Sequence, residues 1–336
     1  MWNGITVIVL ILVTAIPGMG SELEQKEKQM ELIEAGRIWD RAPHNAFTDL
    51  IRFEGRWYCA FREGKGHVSD DGRLRVIRSE DGEQWSSAAL MEWEAGDVRD
   101  AKLSVTADGR LMLSGAVRFL QPVDGNRHQS VSWLSENGTD WSEPYACPTG
   151  LGTWRWSTTW HGEYGYSFGY SGKDTALCLY RTADGKSWEV VKDDVFPNPA
   201  SYPNETSLVF LPDDTAYCLL RRDKGSCTAM LGKARPPYED WEWEDLGTRI
   251  GGPKMIRLED GRFLATVRLY DGKTRTSVCW INPEENTLME TLQLPSGGDT
   301  SYAGMVRRED AVWISYYSSH EGKTAIYLGK VRFGRE

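Results

Sequence analysis

Helical periodicity is nearly absent from this sequence after residue 36, which excludes all-α and α/β architectures from the start. Histidine is scarce, five in 336 residues, and no Cys-x-x-Cys pair or His-rich spacing is present, so nothing in the chain reads as a metal site. No cofactor is expected. The six cysteines (Cys59, Cys147, Cys178, Cys218, Cys227 and Cys279) lie mostly in apolar, strand-like contexts such as Trp57-Tyr-Cys-Ala-Phe61. They are expected to stay largely unpaired and to act as small buried hydrophobes. Positive charge is in deficit: the net charge of −10 argues against nucleic acid as a partner, although a local arginine cluster can still hold an anion.

Long apolar runs are also missing, apart from Ile5–Ile16, which is short for a membrane span. With small residues at Gly18 and Gly20 before Ser21, residues 1–20 suit an export signal, despite an N-terminal region without Lys or Arg. A secreted or periplasmic protein is the expectation, with an uncleaved N-terminal anchor as the alternative. Residues 21–36 form a charged linker whose end, Met30–Ile33, can serve as a strand closing the fold.

What the chain has in quantity is tryptophan (15), tyrosine (14) and glycine (34), the composition of a hairpin-rich all-β fold. Its organising stretch is Arg78-Ser-Glu-Asp-Gly-Glu-Gln-Trp85, a strand end, an Asp-Gly turn and an aromatic that folds back beneath it. Ser135-Glu-Asn-Gly-Thr-Asp-Trp141 and Thr182-Ala-Asp-Gly-Lys-Ser-Trp188 repeat the pattern, and Tyr238-Glu-Asp-Trp241 is a degenerate copy. The steps between these tryptophans are 56, 47 and 53 residues, the spacing of four-stranded propeller blades. Six units of comparable length fill residues 37–336, and a six-bladed β-propeller is the expected fold, with a pair of Ig-like sandwiches as the alternative. Second strands in four units end in arginine (Arg62, Arg118, Arg221-Arg222 and Arg268), the side chain best suited to grip a carboxylate. Which of Arg221 and Arg222 faces inward stays open.

The hydroxyl-x-Asp-Gly-x-x-Trp repeats resemble the Asp-boxes, or BNR repeats, of the sialidase superfamily, and the likeness covers about residues 40–333. In that family a glutamate and an arginine on the fourth blade precede an arginine on the fifth and a nucleophilic tyrosine beyond it. The resemblance implies Glu205, Arg222 (or Arg221), Arg268 and Tyr302 in these roles, at steps of 17, 46 and 34. A tyrosine suits an anomeric carbon that carries a carboxylate, because an anionic nucleophile would be repelled. Two features depart from the family. The first-blade arginine is replaced by Ala46, on the strand that also carries His44 and Asp49, so Arg62 or Arg118 would have to stand in. The acid/base loop, Gly64–Gly72, offers both His67 and Asp70.

The resemblance implies a sialidase-like exo-acting glycoside hydrolase with a Tyr302–Glu205 pair, an arginine clamp and a carboxylate-bearing sugar as partner. Two alternatives remain: a propeller polysaccharide lyase working on uronates through His and Tyr, and a carbohydrate-binding propeller without turnover.

Overall fold

The computed structural model describes residues 30–171 and 176–333. The expected export segment and the first part of the linker lie outside these residues. Strands dominate the rest, and they pair antiparallel into five sheets. The first runs through His44–Phe53, Arg56–Gly64, Arg73–Ser79 and Ser86–Met91. The second holds Gly96–Val105, Leu111–Val123 and Asn126–Ser135. The third holds Trp154–Arg155, Thr159–His161, Tyr164–Tyr170, Leu177–Thr182 and Glu189–Lys192. The fourth has seven strands from Pro203–Phe210 to Thr287–Gln293. The fifth pairs Thr300–Arg308, Ala311–Ser318 and Ala325–Phe333.

Six sheets are expected from the sequence, and the strands pair into five, the fourth being continuous through one long strand. Trp241–Arg257 pairs with Thr228–Ala234 along its first half and with Phe263–Leu269 along its second. The sheets surround a common axis as a β-propeller. A cavity of about 730 Å³ is lined by Leu50, Leu103, Ser207, Lys254 and Met305 from inner strands and by Ser157 from the break between Trp154–Arg155 and Thr159–His161. Only a ring places these six positions around one space.

The first and last described strands close the ring. Met30–Trp39 pairs with Ala325–Phe333 on the outer edge of the fifth sheet, so the closing strand runs past the expected boundary at residue 36. This covers an edge that would otherwise invite pairing with another chain. Where the first and fifth sheets meet, Trp57 stacks on Trp313 with ring centroids 4.4 Å apart. Such a pair contributes about 0.5–1.5 kcal/mol beyond its buried area.

The repeated turns are built alike. Asp81, Asn137 and Asp184 each accept two backbone N–H groups from the residues two and three positions on. Ser79, Ser135 and Thr182 each take the N–H of the turn glycine. Those glycines need positive φ, and they also need to lack a side chain. A Cβ on Gly82 would strike Trp313, one on Gly138 would strike Tyr58, and one on Gly185 would strike Met112, each on the second strand of the preceding sheet. The turns therefore fasten sheet to sheet as well as strand to strand. All six cysteines are free, on separate strands, turns or loops.

Candidate functional site

One irregularity repeats around the ring. The axial strand carries a register shift between Ala46 and Asp49, Arg99 and Lys102, Pro203 and Thr206, Gly251 and Lys254, and Ser301 and Gly304. In the third sheet the strand simply breaks between Arg155 and Thr159. Bulges of this kind re-aim side chains and concentrate beside active sites. Phe47, Asp100 and Tyr302 adopt positive φ there (63°, 56° and 51°), a conformation that costs free energy for a side-chain-bearing residue. Phe47, Asp100, Trp156 and Tyr302 thus follow the break at equivalent places, and in the fourth sheet that place is Asn204, with Glu205 next to it.

Tyr302 and Glu205 meet there. The phenol of Tyr302 donates to Glu205 Oε1 at 2.5 Å. Arg221 Nη1 donates to the same oxygen at 2.7 Å and to Tyr302 Oη at 3.0 Å. The backbone N–H of Gly252 donates to Glu205 Oε2 at 2.8 Å. Burial by itself raises the Glu205 carboxyl, but the Arg221 charge and these three donors outweigh it and hold the group below the usual carboxylate range. Burial and the Glu205 charge push the Tyr302 phenol well above its usual value, so Tyr302 keeps its proton at rest and has an ionised acceptor for it.

Arg268 lies on the other side of Tyr302, its guanidinium 5.2 Å from the ring centroid. It donates to Thr300 O at 2.7 Å and to Tyr317 Oη at 2.8 Å, and the nearest carboxylate, Asp299, is 3.8 Å away. It is a nearly buried cation without a close carboxylate partner, open to an anionic ligand. Asp100 is buried, makes no side-chain hydrogen bond among the described residues, and has its carboxyl raised, by burial first, against the opposing charges of Arg99 and Lys102. Arg99 stands over the Phe47 ring at 5.1 Å.

The arginine set predicted from the strand ends divides. Arg221, not Arg222, reaches the Tyr302–Glu205 pair; Arg222 turns to Asp245 (2.8 Å), Thr228 and Ser226. Arg62 has no exposed surface and donates to Asp97 Oδ1 (2.8 Å), Gly66 O and Ser69, so it braces the 64–72 loop instead of facing a ligand. Arg118 pairs with Asp70 at 2.6 Å at the rim of the second sheet, and each is thereby engaged by the other. Asp49 lies deeper, accepting from Leu103 N (2.9 Å) and Lys254 Nζ (3.2 Å), where it ties three units together.

His44 and His67 do come together. His44 Nε2 and His67 Nδ1 both reach Asp299 Oδ2, at 3.0 and 2.7 Å, and Tyr317 Oη donates to Asp299 Oδ1 at 2.7 Å. Burial raises the Asp299 carboxyl, yet these three partners hold it far below the usual range. The His67 ring packs edge-on against Phe47 at 5.1 Å, and Phe47 packs edge-on against Tyr302 at the same distance.

Asp100, Arg99, Trp156, Asp299 and Tyr317 were not singled out from sequence. Asp100 had a usable signal: it occupies the place in Gly96–Val105 that Tyr302 occupies in Thr300–Arg308.

No protein-family model and no curated protein matches the chain. Among solved structures it is similar to a protein of unknown function from Dyadobacter fermentans DSM 18053, with a TM-score of 0.79 and 19% identity over 91% of this chain and 99% of that one. An α-L-arabinanase from Penicillium chrysogenum complexed with arabinobiose gives a TM-score of 0.68 and 14% identity over 90% and 99%. Trypanosoma rangeli sialidase in complex with the inhibitor DANA gives 0.68 and 13% over 87% of this chain and 55% of that one. At these identities the likeness establishes a β-propeller fold that glycoside hydrolases also use.

Proposed function

We propose that the chain is a sialidase-type glycoside hydrolase acting on a sugar whose anomeric carbon bears a carboxylate. The observation that carries this is the 2.5 Å bond from Tyr302 Oη to an ionised, buried Glu205, flanked by Arg221 and Arg268. In this reading Arg268, with Arg221 beside it, holds the substrate carboxylate. Tyr302 Oη attacks the anomeric carbon as its proton passes to Glu205 Oε1, and the glycosidic C–O bond breaks. The leaving oxygen takes a proton from an acid on the 64–72 loop, where His67 is half exposed and Asp70 is tied to Arg118. Water then attacks the anomeric carbon, giving a proton to that same group, and the released phenolate recovers its proton from Glu205. We also read the seven-stranded sheet as two blades, six in all, and residues 1–20 as an export signal.

The arabinanase-like alternative, an uncharged sugar, leaves Arg268 with only the 3.8 Å Asp299 carboxylate to balance its charge. A panel of sialosides, other ulosonic glycosides, arabinan and uronate polysaccharides tests the proposal. Release of a free carboxylated sugar without ultraviolet absorbance is expected. An absorbing unsaturated product would mean a lyase, and arabinan cleavage would mean a neutral-sugar hydrolase.

A further inference from the structure

We propose that Asp299 is a positioning residue that holds His67 in the one tautomer able to serve as the proton donor and acceptor beside the Tyr302–Glu205 pair. The inference rests on the hydrolase reading above for its chemistry, though the tautomer itself does not depend on it.

Asp299 is an ionised carboxylate and can only accept. Its 2.7 Å bond to His67 Nδ1 therefore places a hydrogen on Nδ1. His67 Nε2 makes no hydrogen bond among the described residues, and the side chain is half exposed, so Nε2 is the nitrogen offered to a ligand. The edge-on contact with Phe47 restricts the plane of the ring. Phe47 is itself buried and also packs edge-on against Tyr302, so a single aromatic ring separates His67 from Tyr302.

The same three groups, His44, His67 and Asp299, converge closely enough to suggest a cation site. Two observations favour the proton-handling role. His44 Nδ1 is buried without a partner, so the ring carries its proton on Nε2, toward Asp299; a metal on Nε2 would move that proton to a nitrogen with nothing to accept it. The Arg268 guanidinium, 3.8 Å from Asp299 Oδ1, also disfavours a second cation.

The charged and titratable surroundings of His67 are few. Asp299 and His44 face it directly, Arg268 and Tyr317 stand behind Asp299, and Arg99 stands behind Phe47. On its own loop, Asp70 is engaged by Arg118 and Asp71 by the backbone N–H of Lys65. In the forward step a His67 imidazolium gives its Nε2 proton to the departing oxygen. In the return step the neutral ring takes a proton from the attacking water, which restores the starting state.

The test is ring ¹⁵N NMR on the metal-free full chain, practicable because there are five histidines. His67→Gln assigns the signal. In the wild type His67 is expected as the Nδ1–H tautomer when uncharged; finding the Nε2–H form instead overturns the proposal with no variant needed. Asp299→Asn should shift the ring toward the Nε2–H form and leave His161 and His320 unchanged. If turnover is found, Asp299→Asn should lower kcat by about 10²-fold or more with little change in KM. That loss should shrink for an aryl glycoside whose leaving group needs no proton. An equal loss on both substrates overturns the role, as does stoichiometric zinc binding that moves His44 and His67 together. Absence of turnover on every glycoside would count against the hydrolase reading, while the tautomer result would still decide the Asp299–His67 relation.

Discussion

Replacing Glu205 with Gln removes one charge and almost no volume, so its consequences come from electrostatics alone. Glu205 is nearly buried and accepts from Arg221, Tyr302 and the Gly252 N–H at 2.5–2.8 Å. A glutamine offers one oxygen, and its amide nitrogen must face either Gly252 or the Arg221–Tyr302 pair, donor against donor. The Arg221 guanidinium keeps Asp223 at 3.0 Å but loses its closer partner. Breaking a buried pair in this way costs about 3–5 kcal/mol, which lowers the melting temperature of a domain this large by about 5–10 °C. The pH dependence has a definite sign. The folded-state carboxyl lies below its unfolded value of 4.5, so its stabilisation is complete above that pH and is lost as pH falls through the folded value. Thermal melts of wild type and Glu205→Gln should differ most at pH 7 and converge as pH drops below about 4.5. Equal melting at pH 7, or a gap that stays constant into acid, would refute an ionised, paired Glu205.

Arg222→Ala should cost about 1 kcal/mol of stability through loss of the part-exposed Asp245 pair and leave substrate kinetics unchanged, whereas Arg221→Ala should reduce kcat/KM by at least about 10²-fold; the reverse ranking would reassign the pocket arginine. Arg268→Lys keeps the charge but loses the planar fork bonded to Thr300 and Tyr317, so KM should rise about tenfold with kcat less affected. Gly304→Ala would place a Cβ 2.0 Å from Leu50 N where the fifth sheet meets the first, and denaturant unfolding should show a loss of about 1–3 kcal/mol or more, since backbone on both sides must move.

The scaffold was legible because its signals are local. An Asp-Gly turn followed by tryptophan specifies its own geometry, and three copies at similar spacing describe a ring. The recurring arginines were legible as a pattern too: Arg62, Arg222 and Arg268 each pair across the residue that precedes the bulge in the neighbouring strand. Their different fates were not legible. Asp97 captures Arg62 and Asp245 captures Arg222, while Arg268 meets only hydroxyls and a carbonyl at hydrogen-bond distance, and those partners are set by loop and neighbouring-sheet geometry. Asp299 lies 255 residues from His44 and 232 from His67, a separation no local pattern bridges. The bulges that aim Asp100 and Tyr302 at the axis leave no composition signal, since Phe47, Asp100 and Tyr302 share a backbone conformation and no chemistry.

The central claim is that Tyr302 is the nucleophile, and covalent trapping tests it most directly. A fluorinated, carboxylated glycosyl fluoride should form an intermediate that turns over slowly enough for mass spectrometry of the intact protein and its peptides. The expected result is a single glycosyl adduct on the peptide containing Tyr302, absent in Tyr302→Phe. An adduct on Glu205 or Asp100, or brisk hydrolysis of a confirmed substrate by Tyr302→Phe, would contradict it.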